Sequence, residues 1–170
     1  MLIVIKMNTK IKTKIEIAKI VNGLRKNNPK IKIVTTNGAF DILHSGHVKS
    51  LAVAKSYGDI LIVGLNSDSS VQKYKSENRP IISQNDRAEL LAALEVVNYV
   101  VIFDETNPNK LLETIKPTFH IKSKTGYLGI EGPTVESNGG KIILIEDFLG
   151  ISTTKIIDKI IKVAKLEKKF

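Results

Sequence analysis

Ile31-Lys32-Ile33-Val34-Thr35-Thr36-Asn37-Gly38-Ala39-Phe40-Asp41-Ile42-Leu43-His44-Ser45-Gly46-His47 is the stretch whose reading decides the fold. Residues 31–35 are short and β-branched, as in a strand packed on both faces. Residues 36–40 carry Asn37 and Gly38 and read as a turn, and a helical pattern starts near His47. Strand, glycine-bearing loop and helix in that order are the unit of a parallel sheet, because each parallel connection needs a crossover.

The same alternation extends in both directions. Upstream, Ile15, Ile17, Ala18, Ile20, Val21 and Leu24 recur at helical spacing over residues 12–25, and Asn27-Asn28-Pro29 ends that helix. Downstream come a strand at 60–65, a short helix from Ser69, a loop at 76–80, and a helix at 85–94 announced by the capping pair Ser83 and Asp86. A strand at 99–103 follows, then a helix opened by Asn107-Pro108 and running to Lys116, and a strand at 118–122. A glycine-rich loop over 123–140 leads to a strand at 141–145. The final helix starts after Ser152 and runs to about Leu166, with Ile156, Ile157, Ile160, Ile161 and Ala164 on its buried side. The pattern predicts an α/β fold: a Rossmann-like doubly wound parallel sheet of about five strands in a single domain. Residues 1–29 form a leading helical extension, 30–166 the core and 167–170 a tail. In such sheets ligands bind beyond the carboxyl ends of the strands, where the winding reverses, so the loop after Thr35 is where a site is expected.

Bulk composition narrows the function classes. With 42% hydrophobic and 25% charged residues, 170 residues suffice for one domain that buries about two thirds of its unfolded surface. No cysteine is present, which excludes disulfides and thiolate metal sites, and the cytoplasm is the expected compartment. The apolar start at residues 1–5 is interrupted by Lys6 and is too short for a signal core or a membrane span, so no membrane partner is expected. The net charge of +9 raises the question of nucleic acid. Against it, only Arg25, Arg79 and Arg87 are arginines and aromatics are 5%, whereas base readout and stacking favour both. Lys159, Lys162, Lys165, Lys168 and Lys169 read as a solvated surface, and no nucleic-acid partner is expected.

Three groups of residues carry chemistry. Gly38 permits close approach of a phosphate to backbone, although neither a P-loop nor a Gly-x-Gly-x-x-Gly spacing is present. His44-Ser45-Gly46-His47 places two imidazoles three residues apart at a helix entry, where free N–H groups favour anions, with Gly46 leaving room between them. As donors they would stabilise charge developing on a pentacoordinate α-phosphorus and on departing pyrophosphate. Zinc ligation is disfavoured because no His-Glu-x-x-His and no obvious third ligand occur, and no metal ligand set is expected; His120 reads as a packed strand residue. Gly150-Ile151-Ser152-Thr153-Thr154 precedes the last helix. One hydroxyl there would cap it, and the set would form a cradle for β- and γ-phosphates.

These residues resemble the cytidylyltransferase-like superfamily of nucleotidyltransferases, which shares a first-strand glycine loop, a His-x-Gly-His motif and a Ser/Thr-rich start to a late helix. Within it the chain looks most like the D-glycero-β-D-manno-heptose 1-phosphate adenylyltransferase branch. Beside the opening stretch, the resemblance is carried by Gly64-Leu65-Asn66-Ser67-Asp68, Arg79-Pro80-Ile81, Asp86-Arg87-Ala88-Glu89, Ala92-Ala93-Leu94-Glu95, Tyr99-Val100-Val101-Ile102-Phe103 and Asn138-Gly139-Gly140. It implies transfer of AMP from ATP to a sugar 1-phosphate with release of pyrophosphate, Mg²⁺ accompanying the triphosphate. His44, His47, Lys49 and Lys122 would be catalytic. Thr36, Asn37, Gly38, Ala39, Phe40, Asp41, Gly46, Ser152, Thr153 and Thr154 would bind nucleotide, with Asp41 positioning it or the magnesium. Asn66, Asp68, Arg79, Lys124 and Tyr127 would bind the acceptor, and a homodimer is the expected assembly.

The chain departs from that branch in two places. Ala39 stands where a cysteine is usual. Lys122-Ser123-Lys124-Thr125-Gly126-Tyr127 stands where Lys-Gly-Gly-Asp and an aromatic are typical, so a carboxylate that could bind sugar hydroxyls is missing. The stretch 150–156 also resembles the glycerol-3-phosphate cytidylyltransferase branch, but Glu146 and Asp147 lie near where that branch has an arginine. Two alternatives therefore stay open: a cytidylyltransferase acting on glycerol 3-phosphate or another polyol phosphate, with CTP in place of ATP, and a catalytically weak nucleotide-binding regulatory module. Pyrophosphate release against a panel of nucleotides and phosphorylated acceptors separates them.

Overall fold

Thr13 sets the start of the first helix. In the computed structural model, which describes residues 9–148 and 150–167, its hydroxyl accepts from the amide of Glu16 and the Glu16 carboxylate accepts from the amide of Thr13. That reciprocal cap holds α1 (Lys14–Asn27) two residues later than the apolar spacing suggests. The residues before it, β1 (Ile11–Lys12), leave the helix and join the sheet, with Ile11 opposite Val100. This is the strand by which the count rises from about five to six.

The remaining elements follow in alternation: β2 (Ile33–Gly38), α2 (Ser45–Ser56), β3 (Ile60–Asn66), α3 (Asp68–Tyr74), α4 (Gln84–Ala93), β4 (Tyr99–Phe103), α5 (Asn109–Ile115), β5 (Phe119–Ser123), α6 (Gly132–Ser137), β6 (Lys141–Ile145) and α7 (Thr153–Glu167). All strand pairs are parallel and the sheet order is β1-β4-β3-β2-β5-β6. The chain thus winds outward from β2 to one edge through β3 and β4, then returns to the other side of β2 for β5 and β6. The winding reverses between β2 and β5, as the Rossmann-like reading requires.

Alternation along the strands splits the core in two. Val34, Leu61, Leu65, Val100 and Ile121 face Leu51 of α2 and Leu91 of α4. Ile33, Ile62, Val101 and Phe103 face Ile17 and Val21 of α1 and Leu111 and Ile115 of α5. Each of these side chains is almost fully excluded from water, which contributes about 1.5–3 kcal/mol apiece.

Three expectations are corrected. Residues 36–38 continue β2 rather than turn, because each pairs with β3 out to Gly38 opposite Leu65. The glycine-rich loop over 123–140 contains α6, started by Pro133 in its first turn. And α7, amphipathic as expected, buries none of its residues: Ile160 is 58% and Ile161 47% exposed. Ile156 and Ile157 at its start are half-buried, and beyond them its apolar face is exposed. The stretch 1–5, Lys168, Lys169 and most of the expected tail lie outside the described residues. No described helix is long and apolar enough to cross a membrane.

Candidate active site

The link between β2 and α2 is built around Asp41. Phe40 and Ile42 on either side both adopt left-handed backbone, φ 48° and 50°, a conformation that costs a non-glycine residue about 1 kcal/mol or more and persists only where contacts impose it. Between them the Asp41 side chain turns inward and is 1% exposed. Its carboxylate accepts hydrogen bonds from the amides of Ile81 and Ile82 at 3.0 Å and from Nε of Arg79 at 2.7 Å. Burial pushes this acid up, but the two amides and the guanidinium together hold it below its ordinary value. Asp41 therefore organises this turn while also lining the cleft, with both carboxylate oxygens bonded within the protein. Arg79, expected at the acceptor, is committed to the same pair.

Beyond this turn His44 caps α2, its Nδ1 lying 3.4 Å from the His47 amide. The two rings stack with centroids 3.8 Å apart and planes at 21°. Gly46 makes the stack possible, since a Cβ there would come within 3.0 Å of the His44 ring and 3.3 Å of Ile151. Burial, then the neighbouring His44 and Lys75, lower the His47 pKa to about 4, and burial lowers that of His44. The Nδ1 of His47 is buried without a hydrogen-bond partner among the described residues. An anion at the edges of these rings would favour their protonated, donating forms.

The start of α7 closes the opposite wall. Thr153 donates through its hydroxyl to the carbonyl oxygen of Asp41 at 2.6 Å, while the Ser152 hydroxyl accepts from the Lys155 amide. Two of the three hydroxyls thus have structural bonds, and the first amides of this 15-residue helix lie beside the cleft. The cleft so formed has a volume of about 570 Å³, within the usual range for a small-molecule site. Residues 36–41, His44, Gly46, His47, Lys122 and residues 152–154 all line it.

A second cleft of about 370 Å³ adjoins the first, and Asn37, Gly38, Lys122 and Gly126 line both. Asn66 opens into the second only. Lys122 stands at the boundary, its Nζ 3.1 Å from Oδ1 of Asn37 and 3.0 Å from a carboxylate oxygen of Glu131. Lys49, Asp68, Lys124 and Tyr127 line neither cleft. Lys49 is exposed with its ammonium 5.9 Å from the Phe148 ring centroid, Asp68 pairs with buried Arg87 at 2.7 Å, and Lys124 pairs with Glu146 on the surface. Lys75 and Asp147 in the first cleft, and Tyr74 and Glu131 in the second, were not expected. Lys75 follows α3 in a stretch of plain polar sequence, and Glu131 sits in what reads as a loop, so neither carried a motif.

No cluster of three or more histidine or acidic side chains able to hold a metal ion occurs among the described residues. Asp147, which with Asp41 makes up the acids of the first cleft, accepts from the hydroxyl of Thr125 at 2.7 Å. This donor set fits a magnesium ion carried by a polyphosphate better than one ligated by the protein.

The family model described as cytidylyltransferase-like matches residues 35–159. The bifunctional protein HldE of Geobacter metallireducens is 53% identical over 135 residues, covering 77% of this chain and 27% of the relative. HldE of Aliarcobacter butzleri is 50% identical over 153 residues, covering 90% and 31%. The chain thus spans less than a third of the length of these relatives. Among solved structures, a lipopolysaccharide core biosynthesis protein from Thermoplasma volcanium superposes with a TM-score of 0.61 at 28% identity, covering 69% of this chain and 98% of that one. The pantoate-beta-alanine ligase of Francisella tularensis shares the fold, with a TM-score of 0.57 at 18% identity over 80% of this chain and 66% of the ligase.

Proposed function

The chain belongs to the cytidylyltransferase-like family of nucleotidyltransferases, and from that premise we propose that it transfers AMP from ATP to a sugar 1-phosphate resembling heptose 1-phosphate, forming an ADP-sugar and pyrophosphate. One observation carries the reading: the stacked pair His44 and His47 shares a cleft with the amino-terminal turn of α7. The paired rings would donate to oxygens of the α-phosphate, where negative charge grows, and the α7 turn would hold the departing β- and γ-phosphates. Lys75, beside His47, would add a cation at the same phosphates. Mg²⁺ would travel with the triphosphate and neutralise part of its charge.

A phosphate oxygen of the acceptor attacks the α-phosphorus, one P–O bond forms, and the bond to the β-phosphate oxygen breaks with both electrons leaving on pyrophosphate. A phosphate monoester is already an anion near neutral pH, so the step needs alignment and cations rather than a general base. Lys122, which lines both clefts, would hold the acceptor phosphate, and the second cleft would take the acceptor's body. ATP is favoured over CTP by the resemblance to the heptose branch and by relatives near 50% identity.

The test is pyrophosphate release with ATP and CTP in parallel, against heptose and hexose 1-phosphates and glycerol 3-phosphate. Release with ATP and a sugar 1-phosphate is expected. Turnover with CTP and glycerol 3-phosphate alone, or nucleotide binding with no pyrophosphate from any acceptor, overturns the proposal.

A further inference from the structure

Glu131 is an acid whose local structure does not account for it. It precedes α6 in the cap position, where a carboxylate ordinarily accepts from an amide of the first turn, yet it makes no such bond. It is 6% exposed, and its ion-pair partner among the described residues is Lys122 at 3.0 Å. Such a buried pair adds little net stability, since desolvation offsets most of the attraction, and apolar residues of like volume often serve as well. The helix needs no carboxylate there, and neither does the core.

The cleft onto which Glu131 opens is chemically unlike its neighbour. The first has two histidines, Lys75, Lys122 and a helix amino terminus, which make it cationic in character although Asp41, paired with Arg79, and Asp147 also line it. The second is lined by the neutral polar side chains Asn37, Asn66, Tyr74 and Asn107 together with apolar Pro108, Leu128 and Ile130, and its Lys122 is already matched by Glu131. A cleft with amides, a phenol and one carboxylate suits a ligand rich in hydroxyls, because a carboxylate only accepts and a polyol offers many donors. Lys122 marks where the hydroxylated body ends and the phosphate begins.

We propose that Glu131 is the residue by which this site reads its acceptor, accepting hydrogen bonds from sugar hydroxyls beside Lys122, the lysine at the acceptor's phosphate, whose charge it partly offsets. The inference rests on the proposed function for the presence of a sugar phosphate. It supplies, from α6, the carboxylate absent from the Ser123 to Gly126 segment. A site that hydrogen-bonds a substrate hydroxyl rejects the analogue lacking it, because its own buried group is left unpaired.

The test is equilibrium binding, which needs no turnover. Calorimetry on the full chain with a non-hydrolysable ATP analogue present compares D-manno-heptose 1-phosphate with its single-deoxy forms at C2, C3, C4 and C6, in wild type and in Glu131→Gln. In wild type at least one deoxy form is expected to bind about 10-fold or more weakly, and in Glu131→Gln that penalty falls to about 2-fold or less. Because the variant releases Lys122 from its counter-charge, inorganic phosphate is expected to bind it as tightly as wild type or tighter; a merely structural role for Glu131 would weaken both ligands together. An unchanged deoxy penalty in the variant, or parallel loss of phosphate binding, overturns the assignment. Pyrophosphate release by wild type alongside an unchanged penalty leaves the reaction standing and removes Glu131. Loss of the penalty in a protein that releases no pyrophosphate does the reverse, and a wild type that binds no heptose phosphate removes both.

Discussion

The hydroxyl of Thr153 donates a 2.6 Å hydrogen bond to the carbonyl oxygen of Asp41, joining two segments 112 residues apart in sequence. Since α7 buries none of its residues, this bond and the contact of Ile151 near Gly46 are what fix its first turn to the cleft. Thr153→Val keeps the shape and removes a bond worth about 1 kcal/mol. ATP affinity is expected to fall about 5- to 10-fold, by the same arithmetic of 1.4 kcal/mol per decade, while Thr153→Ser retains it. The melting temperature should move by less than about 2 °C, because the tether is local to the end of the fold. Calorimetric titration and thermal melts check both, and an unchanged affinity for the valine variant separates the α7 turn from the phosphates.

In the empty cleft His47 is neutral at pH 6, its pKa held at about 4 by burial and by the cations His44 and Lys75. A bound triphosphate reverses the sign of its surroundings and raises that pKa, so binding takes up a proton and ATP affinity should rise as pH falls from 7 towards 5. His47→Gln is expected to flatten that slope, measured by titration in buffers of different ionisation enthalpy, and the difference between wild type and variant cancels the proton chemistry of ATP itself. His47→Ala should lower turnover by about 100-fold or more, as for other donors to a developing oxyanion. Equal slopes in wild type and glutamine variant would remove His47 from contact with phosphate.

Sequence and structure part company where long-range contacts decide. The strands were legible because β-branched runs such as Val34-Thr35 and Ile62-Val63 are apolar on both faces. His44, Gly46 and His47 were legible because the two rings and the glycine between them act within one helical turn. Lys75 and Glu131 were not, because nothing local marks them: each enters a cleft only through the packing of α3 and α6 against the sheet. Asp41 was placed in the site, but its bonds to the amides of Ile81 and Ile82 were not legible, since those lie 40 and 41 residues away. The α7 face shows the converse: its period was read rightly, and beyond Ile157 that face is exposed.

Asp41 and Arg79 should behave as structure rather than chemistry. Asp41→Asn removes the charge from a buried pair and leaves Arg79, only 16% exposed and with its Nη2 already unpartnered among the described residues, without its counter-ion. Loss of about 3 kcal/mol in urea unfolding is expected, as when one partner of a buried pair is deleted. The Mg²⁺ concentration for half-maximal activity should stay within about 2-fold of wild type, because the metal rides on phosphate. A large shift in that concentration would return Asp41 to the metal.

Lys75 lines the first cleft, and burial first, then Arg79, lower its pKa. An ammonium destabilised by its surroundings gains most from an arriving anion, so Lys75→Met is expected to weaken ATP by about 10-fold, near the loss of one charge-assisted hydrogen bond. AMP, which lacks the outer phosphates, should be affected less than ATP. Competition binding of the two nucleotides checks the ratio, and equal losses would place Lys75 elsewhere than at the β- and γ-phosphates.

His120 gives a prediction about stability that is independent of the reaction. It is fully buried in β5, bonded through Nδ1 to the Thr35 hydroxyl at 2.8 Å, with Nε2 unpartnered among the described residues. Burial, assisted by Lys122, lowers its pKa from 6.5 to about 3. The folded chain therefore keeps His120 neutral where the unfolded chain protonates it, and the unfolded state binds more protons below pH 6.5. Stability must then fall as pH drops from about 6.5 towards 3, with His47 adding a parallel loss down to about 4, and neither group contributes above 6.5. The limiting slope is about 1.4 kcal/mol per pH unit for each proton. His120→Gln, which can still bond Thr35, should take away roughly half of the slope between pH 6 and 4 while leaving stability at pH 8 nearly as it was, if the amide fits the same space. Urea unfolding across that range reads it directly, and a variant whose stability falls as steeply as wild type would show that the imidazole is protonated within the fold after all.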